Sequence, residues 1–125
     1  MTVKPSAAAH RSYGSDRKTI AVRFYPNGST DPTFVGDYEI ASVEHDATGV
    51  YTVTCRSSHH RVLGVSVGLG LGTPALHAVV AKVGNAGTTS PLTVQVTRLD
   101  DKGSAADDAA DADTWISVVV EVEDG

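Results

Sequence analysis

Histidine side chains are the first candidates for chemistry in this chain, because imidazole is a common zinc ligand. The residues concerned are His45, His59, His60 and His77. Their spacing fits no established zinc pattern, and neighbours on a strand point to opposite faces, so His59 and His60 could share a metal only across a kinked loop. A Ser57–His59–Asp46 triad can be written on paper, but no nucleophile elbow surrounds the serine. We therefore expect no catalytic residue and no structural metal.

Four aspartates between positions 107 and 113 form the second candidate site. They are Asp107, Asp108, Asp111 and Asp113. Calcium takes several oxygen ligands, but this run lacks the central glycine and the terminal glutamate of an EF-hand loop. We expect these side chains to solvate a loop and cap its turns, with weak calcium binding as the alternative.

Two further motifs suggest chemistry that their surroundings do not support. Gly68-Leu-Gly-Leu-Gly72 resembles part of a dinucleotide fingerprint, but Pro74 prevents the helix that must follow it. Cys55 is the only cysteine and is placed among apolar neighbours in an alternating segment, which indicates a buried structural thiol. No cofactor is predicted.

Length and charge limit the class of protein. A chain of 125 residues fits one domain with a single core. The net charge of -5 argues against a nucleic-acid partner, which requires a concentrated basic surface. Residues 1–10 lack the apolar centre of a signal peptide, and no run is long enough to span a membrane, so we expect a soluble product made in the cytoplasm, without a membrane partner.

Charge is distributed unevenly along the chain. Residues 1–30 hold five basic residues and one acid, whereas residues 100–125 hold nine acids and one lysine. Opposite charges attract, so a basic arm of one copy could dock on the acidic edge of a neighbour. Solvation of both ends is the alternative.

Alternation of apolar and polar residues predicts an all-β fold with seven strands. In the clearest strand, Val50 to Arg56, Tyr51, Val53 and Cys55 face one way and threonines the other. The other six predicted strands are 18–25, 38–45, 61–72, 76–83, 92–99 and 115–122. We predict a loop from Pro26 to Asp37, a turn at Asn27-Gly28, and at most a helical turn within 104–112. Tyr51 and Trp115 are predicted core residues.

The segment from Arg61 to Gly72 has leucine and valine on one face and glycine or serine on the other. Such a face lets a ring or backbone approach closely and permits bends and bulges. We predict a strand that curves or changes sheets. The spacing of strands and turns indicates a single antiparallel β-sandwich or jelly-roll-like domain at 18–125, preceded by an extended basic arm at 1–17.

Three segments resemble the small β-sandwich proteins encoded among the structural genes of tailed bacteriophages. They are Ser42 to Thr54, containing Thr-Gly-Val-Tyr-Thr-Val-Thr, then Leu92 to Arg98, and Ala105 to Val120 with its Ala-Asp loop before a valine-rich strand. The resemblance implies a non-enzymatic capsid decoration, or cement, protein that resides on the virion surface. Its implied partners are the major capsid protein and two further copies of itself in a homotrimer.

A cement protein must bridge capsid subunits, which favours a rigid domain with an arm that orders on binding. The expected partner-binding residues are Lys4, Arg11, Tyr13, Arg17 and Lys18. The alternative is a receptor- or glycan-binding tip domain of a tail or fibre, which would use exposed aromatic and acidic groups in loops such as 27–37. A metal-dependent hydrolase, which predicts stoichiometric zinc, is a third hypothesis.

Overall fold

A computed structural model describes residues 17–72 and 77–124. Within these residues the chain forms eight β-strands and no helix, as listed here: β1 (Arg17–Asn27), β2 (Thr30–Gly36), β3 (Ile40–Ala47), β4 (Val50–Cys55), β5 (Arg61–Gly70), β6 (Ala78–Gly84), β7 (Thr93–Leu99) and β8 (Trp115–Glu123). The predicted all-β class is therefore confirmed. Residues 1–16, which include Lys4, Arg11 and Tyr13 of the predicted arm, lie outside the described residues.

The strands form two antiparallel sheets that pack face to face as a β-sandwich. One sheet has the order β2-β1-β8-β5 and the other the order β3-β4-β7-β6. Alternate residues point into the space between the sheets, so the core is built mainly from valine and isoleucine of the central strands. Its largest apolar members are Phe24 and Tyr51, whose rings meet with centroids 5.1 Å apart.

The predicted loop from Pro26 to Asp37 is wrong, because β1 continues to Asn27 and most of the remaining residues form β2. The turn at Asn27-Gly28 is confirmed, with Gly28 at a φ of 62°. Pro32 has no N–H to donate, and its presence favoured a loop. It is tolerated because β2 is an edge strand, where a missing donor costs no hydrogen bond on the solvent side.

Strand β5 stays in one sheet over its whole length and pairs with β8 from Arg61 to Gly70. It has the predicted irregularity as a bulge, since the register shifts between Val62 and Gly64. The bulge turns Leu63 away from the predicted inward row, so its side chain is 41% exposed. The predicted change of sheet does not occur.

The alanine-rich stretch from 104 to 112 forms no helical turn. It is extended, and Ala105 bridges to Leu99 at the end of β7. The reason is that its aspartates are directed at side chains and backbone groups of the sandwich, which holds the chain in an irregular extended path.

Candidate interaction surface

The strand directions bring the loops together at two opposite ends of the sandwich. We call the end where β1 begins at Arg17 the arm end; it also holds residues 37–39, 56–60, 85–92 and 124. We call the other end the acidic end, because it holds the connection 100–114, which contains six of the nine acids of residues 100–125. Each end contains a buried ionisable side chain.

At the arm end the buried ionisable group is His59, which is 2% exposed. Its Nδ1 lies 3.0 Å from an oxygen of Asp124, and its Nε2 lies 3.0 Å from Oε1 of Glu39. Each ring nitrogen therefore lies within hydrogen-bond distance of a carboxylate. Asp124 follows β8 and Glu39 precedes β3, so His59 joins the two sheets.

At the acidic end the buried charged group is Arg98, which is 1% exposed. Its Nε and Nη2 donate to the two oxygens of Asp108 at 2.7 and 2.8 Å, and its Nη1 donates to the Leu99 carbonyl at 2.6 Å. Arg98 faces inward in line with Val94 and Val96 of β7. A buried arginine needs such a bidentate partner to offset its lost hydration.

Asp107 joins the same connection to the β3–β4 turn. Its Oδ1 accepts hydrogen bonds from Gly49 N–H at 2.7 Å and from His45 Nε2 at 2.8 Å. Desolvation opposes the charged form, but these hydrogen bonds and the nearby imidazole outweigh it and lower the pKa of Asp107 below its usual value. Gly49 has a φ of 69°, and a Cβ there would lie 2.6 Å from Ala106 N, so the connection packs directly on the turn.

Asp111 caps a turn as predicted, and Asp100 also caps a turn. Asp111 accepts from Asp113 N–H at 2.8 Å, and Asp100 accepts from Lys102 and Ser104 N–H. The hydrogen bonds from these two N–H groups are the main cause of the lowered pKa of Asp100. Slight desolvation opposes them, and more distant positive groups lower the pKa by a smaller amount. In contrast, Asp107 and Asp108 do more than solvate the loop, because they bind buried or half-buried side chains of the sandwich.

The structure does not assemble the hypothetical Ser57–His59–Asp46 triad. Both nitrogens of His59 are occupied by carboxylates other than Asp46, and Asp46 bonds the Thr52 hydroxyl. Among residues 17–72 and 77–124, no group of three or more His, Cys, Asp and Glu side chains could hold a metal ion. His45 and His59 lie at opposite ends of the sandwich, so the structure does not bring these two histidines together.

Sequence reasoning missed Arg98, Glu39 and Asp124 as structural residues. A signal for Arg98 was present, since it continues the inward row of Val94 and Val96. The partners of His59 gave no local signal, because Glu39 is 20 residues away and Asp124 is 65 residues away in the sequence.

Trp115 is on the outer face of the first sheet, so its assignment to the core is wrong, whereas Tyr51 is a core residue as predicted. The indole of Trp115 covers Gly70 of β5, and a Cβ at Gly70 would lie 2.6 Å from the indole Nε1. The Arg23 guanidinium stacks over the same ring at 4.0 Å from the centroid. The prediction that the glycine face of β5 admits a bulky ring is thus confirmed.

Charged groups surround the start of β1 at the arm end. Arg17 and Arg61 flank Glu123 of β8, with Arg17 Nε 3.8 Å from one carboxylate oxygen and Arg61 bonded to the other. The hydrogen bond from Arg61 is the main cause of the lowered pKa of Glu123. Both arginine side chains are 62% exposed, and Lys18 is also exposed. Of the predicted partner-binding residues, Arg17 and Lys18 therefore lie on accessible surface.

Two open grooves lie at the acidic end. One, of about 340 Å³, is bordered by His77, Arg98, Asp108 and Thr114. The other, of about 460 Å³, is bordered by Tyr25, Asn27, Thr33 and Asp111. In the first groove Arg98 and Asp108 are paired with each other, whereas the second groove is bordered by the partly buried Tyr25.

Cys55 is buried within β4, as predicted. Burial, together with the negative charge of Glu39, raises the pKa of its thiol to about 11. The thiolate is the reactive form of cysteine, so Cys55 is held in an inert state.

No helix capable of crossing a membrane occurs in the described parts of the chain. Comparison with family models, with curated proteins and with solved structures returns no match to this chain.

Proposed function

We propose that this chain is a non-enzymatic structural protein that decorates a tailed-phage capsid and bridges neighbouring capsid subunits. The observation that carries the proposal is what the ionisable side chains at the two ends of the sandwich contact. His59, Arg98 and Asp107 are the groups best placed for chemistry, and each is bonded to another part of the sandwich at 2.7–3.0 Å. They stabilise the fold at both ends, which suits a protein that must resist deformation.

The position of the expected arm also supports the proposal. Residues 1–16 precede β1 at Arg17, where exposed basic groups extend onto the surface of the arm end. A chain that leaves a rigid domain next to exposed arginine and lysine can reach a neighbouring subunit and bind its acidic groups. The major capsid protein is the proposed partner, and the virion surface is the proposed location.

The test is binding to undecorated phage heads, measured by co-sedimentation. We expect the wild-type chain to bind and the Arg17→Glu/Lys18→Glu variant, as well as a chain lacking residues 1–16, to lose binding while keeping the circular dichroism of the sandwich. Lys82→Glu is the matched control, because Lys82 is exposed on the other sheet. Unchanged occupancy of the heads by the chain lacking residues 1–16 would contradict the proposal.

A glycan-binding tip domain is the second candidate, and one observation favours it. The groove of about 460 Å³ combines the Tyr25 ring with the polar side chains of Asn27 and Asp111, which is a chemistry suited to sugar stacking and hydroxyl recognition. A glycan array with the wild type and Tyr25→Ala separates the two functions. Binding that is lost in the variant would favour the tip domain.

A further inference from the structure

Sheet edges are usually kept from pairing with another strand by charges, prolines and bulges. Beyond its bulge between Val62 and Gly64, the edge of β5 away from β8 has none of these features. The edge strand β2 contains Pro32, β3 has two register shifts and the exposed Glu44, and β6 has the exposed Lys82. From Val62 to Gly70, β5 has neither a charged residue nor a proline. Among the described residues it pairs with β8 alone.

The same edge leaves apolar side chains incompletely covered. Val65, Val67 and Leu69 face the core but are only partly buried, whereas the inward residues of the central strands β1 and β8 are almost fully buried from Ile20 and Ile116 onward. Leu63, at the bulge, is 41% exposed. Another strand along this edge would remove part of this apolar row from water.

The sequence of β5 is complementary to itself in the antiparallel direction. Gly64-Val65-Ser66-Val67-Gly68 reads the same from either end. We infer that two copies of this chain pair through β5 about a two-fold axis at Ser66, which makes one continuous eight-stranded sheet across the dimer. Valine then lies opposite valine and glycine opposite glycine, with Ser66 opposite its own copy.

The outer face of β5 permits this pairing without crowding. The outer face of β5 carries only glycine and serine, opposite the outward residues of β8. These positions are Gly64, Ser66, Gly68 and Gly70. Directly opposed strands place paired Cα atoms about 4.5–5.5 Å apart, where large outward side chains would need room. Here the backbone hydrogen bonds of the new pair supply affinity, and the valine row supplies register.

Charges at the two ends of β5 are also complementary across this axis. Arg61 is five residues before Ser66 and Leu71 is five residues after it, so Arg61 of one copy approaches Leu71 and Gly72 of the other. The carboxylate of Asp111 lies against Gly72, with Oδ2 2.6 Å from the position a Cβ would occupy. The two-fold axis therefore brings the exposed Arg61 of each copy near Asp111 of the other copy.

The first experiment is charge complementation at the axis, followed by sedimentation velocity over a dilution series. We expect the wild type at twice 13.0 kDa. Ser66→Lys and Ser66→Glu each place like charges opposite one another, and each should weaken self-association roughly tenfold. An equimolar mixture of the two variants should restore the dimer, because Lys then faces Glu. Thr19→Lys is the control, since Thr19 is exposed on the same face of the sheet away from this edge.

A second measurement does not depend on disrupting the interface. Ser66→Cys should form an intermolecular disulfide in oxidised glutathione, which takes up the two electrons, because the distance between opposed Cα atoms suits a disulfide. Thr19→Cys should not. The native Cys55 is buried, so its thiol should not contribute to cross-linking.

Several results would overturn the inference. These are a wild type that is monomeric at every concentration or trimeric, a dimer unaffected by Ser66→Lys, or a mixture that does not re-associate. A dimer that is lost in Lys4→Glu/Arg11→Glu but kept in Ser66→Lys would assign the interface to residues 1–16. The inference is independent of capsid binding, and it gives a dimer where the resemblance implied a trimer.

Discussion

Removing the carboxylate of Asp108 tests whether the buried charges stabilise the sandwich. In Asp108→Ala, the Arg98 guanidinium loses two hydrogen bonds of 2.7 and 2.8 Å and keeps the one to the Leu99 carbonyl. Breaking a buried pair in this way costs about 3–5 kcal/mol. Asp108 is 17% exposed while Arg98 is 1% exposed, so water can reach one side of the contact, and we expect the lower value, about 3 kcal/mol.

The assay is urea unfolding followed by Trp115 fluorescence, with thermal melts in parallel. For a chain of this length, the loss corresponds to a decrease in Tm of roughly 12 °C. Asp101→Ala is the matched control, since Asp101 is an exposed aspartate of the same connection, and its unfolding free energy should change by less than about 0.5 kcal/mol.

The double variant Arg98→Leu/Asp108→Ala separates pairing from simple loss of contacts. Replacing both members of a buried ion pair by apolar residues is often close to neutral, because no uncompensated charge remains. We therefore expect it to be more stable than Asp108→Ala alone. A single variant that costs less than about 1 kcal/mol, or a double variant as unstable as the single one, would refute the reasoning.

Three further changes have defined outcomes. Gly70→Ala should cost about 1–3 kcal/mol and shift Trp115 fluorescence, whereas Gly64→Ala, with nothing within 4 Å of its Cβ position, should leave the fluorescence unchanged. Tyr51→Phe should stabilise by about 1 kcal/mol in urea unfolding, because the hydroxyl is buried without a protein hydrogen-bond partner among the described residues; a loss of stability would contradict this. The folded-state pKa of Asp107 is lowered, so its contribution to stability is present above the unfolded value of about 4 and is lost as pH falls through the lower folded value. Asp107→Asn should therefore differ most from wild type above about pH 5 and less at lower pH, and a constant difference down to about pH 2 would contradict the assignment.

The fold could be predicted from the sequence because strand alternation is a local signal. Val50 to Arg56 alternates strictly, and the inward residues Tyr51, Val53 and Cys55 are all at most 1% exposed. Strand β2 was missed because its only inward residue of low exposure is Pro32, which carries the signal of a loop. The tolerance for proline at that position depends on a long-range fact, the placement of β2 at a sheet edge.

The side-chain pairs could not be predicted, because they depend on which loops meet at each end. The aspartates at 107 and 108 are adjacent in sequence, yet one binds His45 and the other binds Arg98. Nothing local distinguishes them from the exposed Asp101. Similarly, tryptophan is a residue type that suits a core, but Trp115 lies on the outer face of its sheet because the strand register sets it opposite Gly70.

Charge segregation along the sequence acquires a spatial meaning in the sandwich. Arg17 lies at the arm end, and the connection 100–114 lies at the acidic end, separated by the length of β1. Within one copy these groups cannot meet without bridging that length. In the proposed antiparallel pairing of β5, the arm end of one copy lies beside the acidic end of the other. The attraction inferred from the sequence would then act between copies.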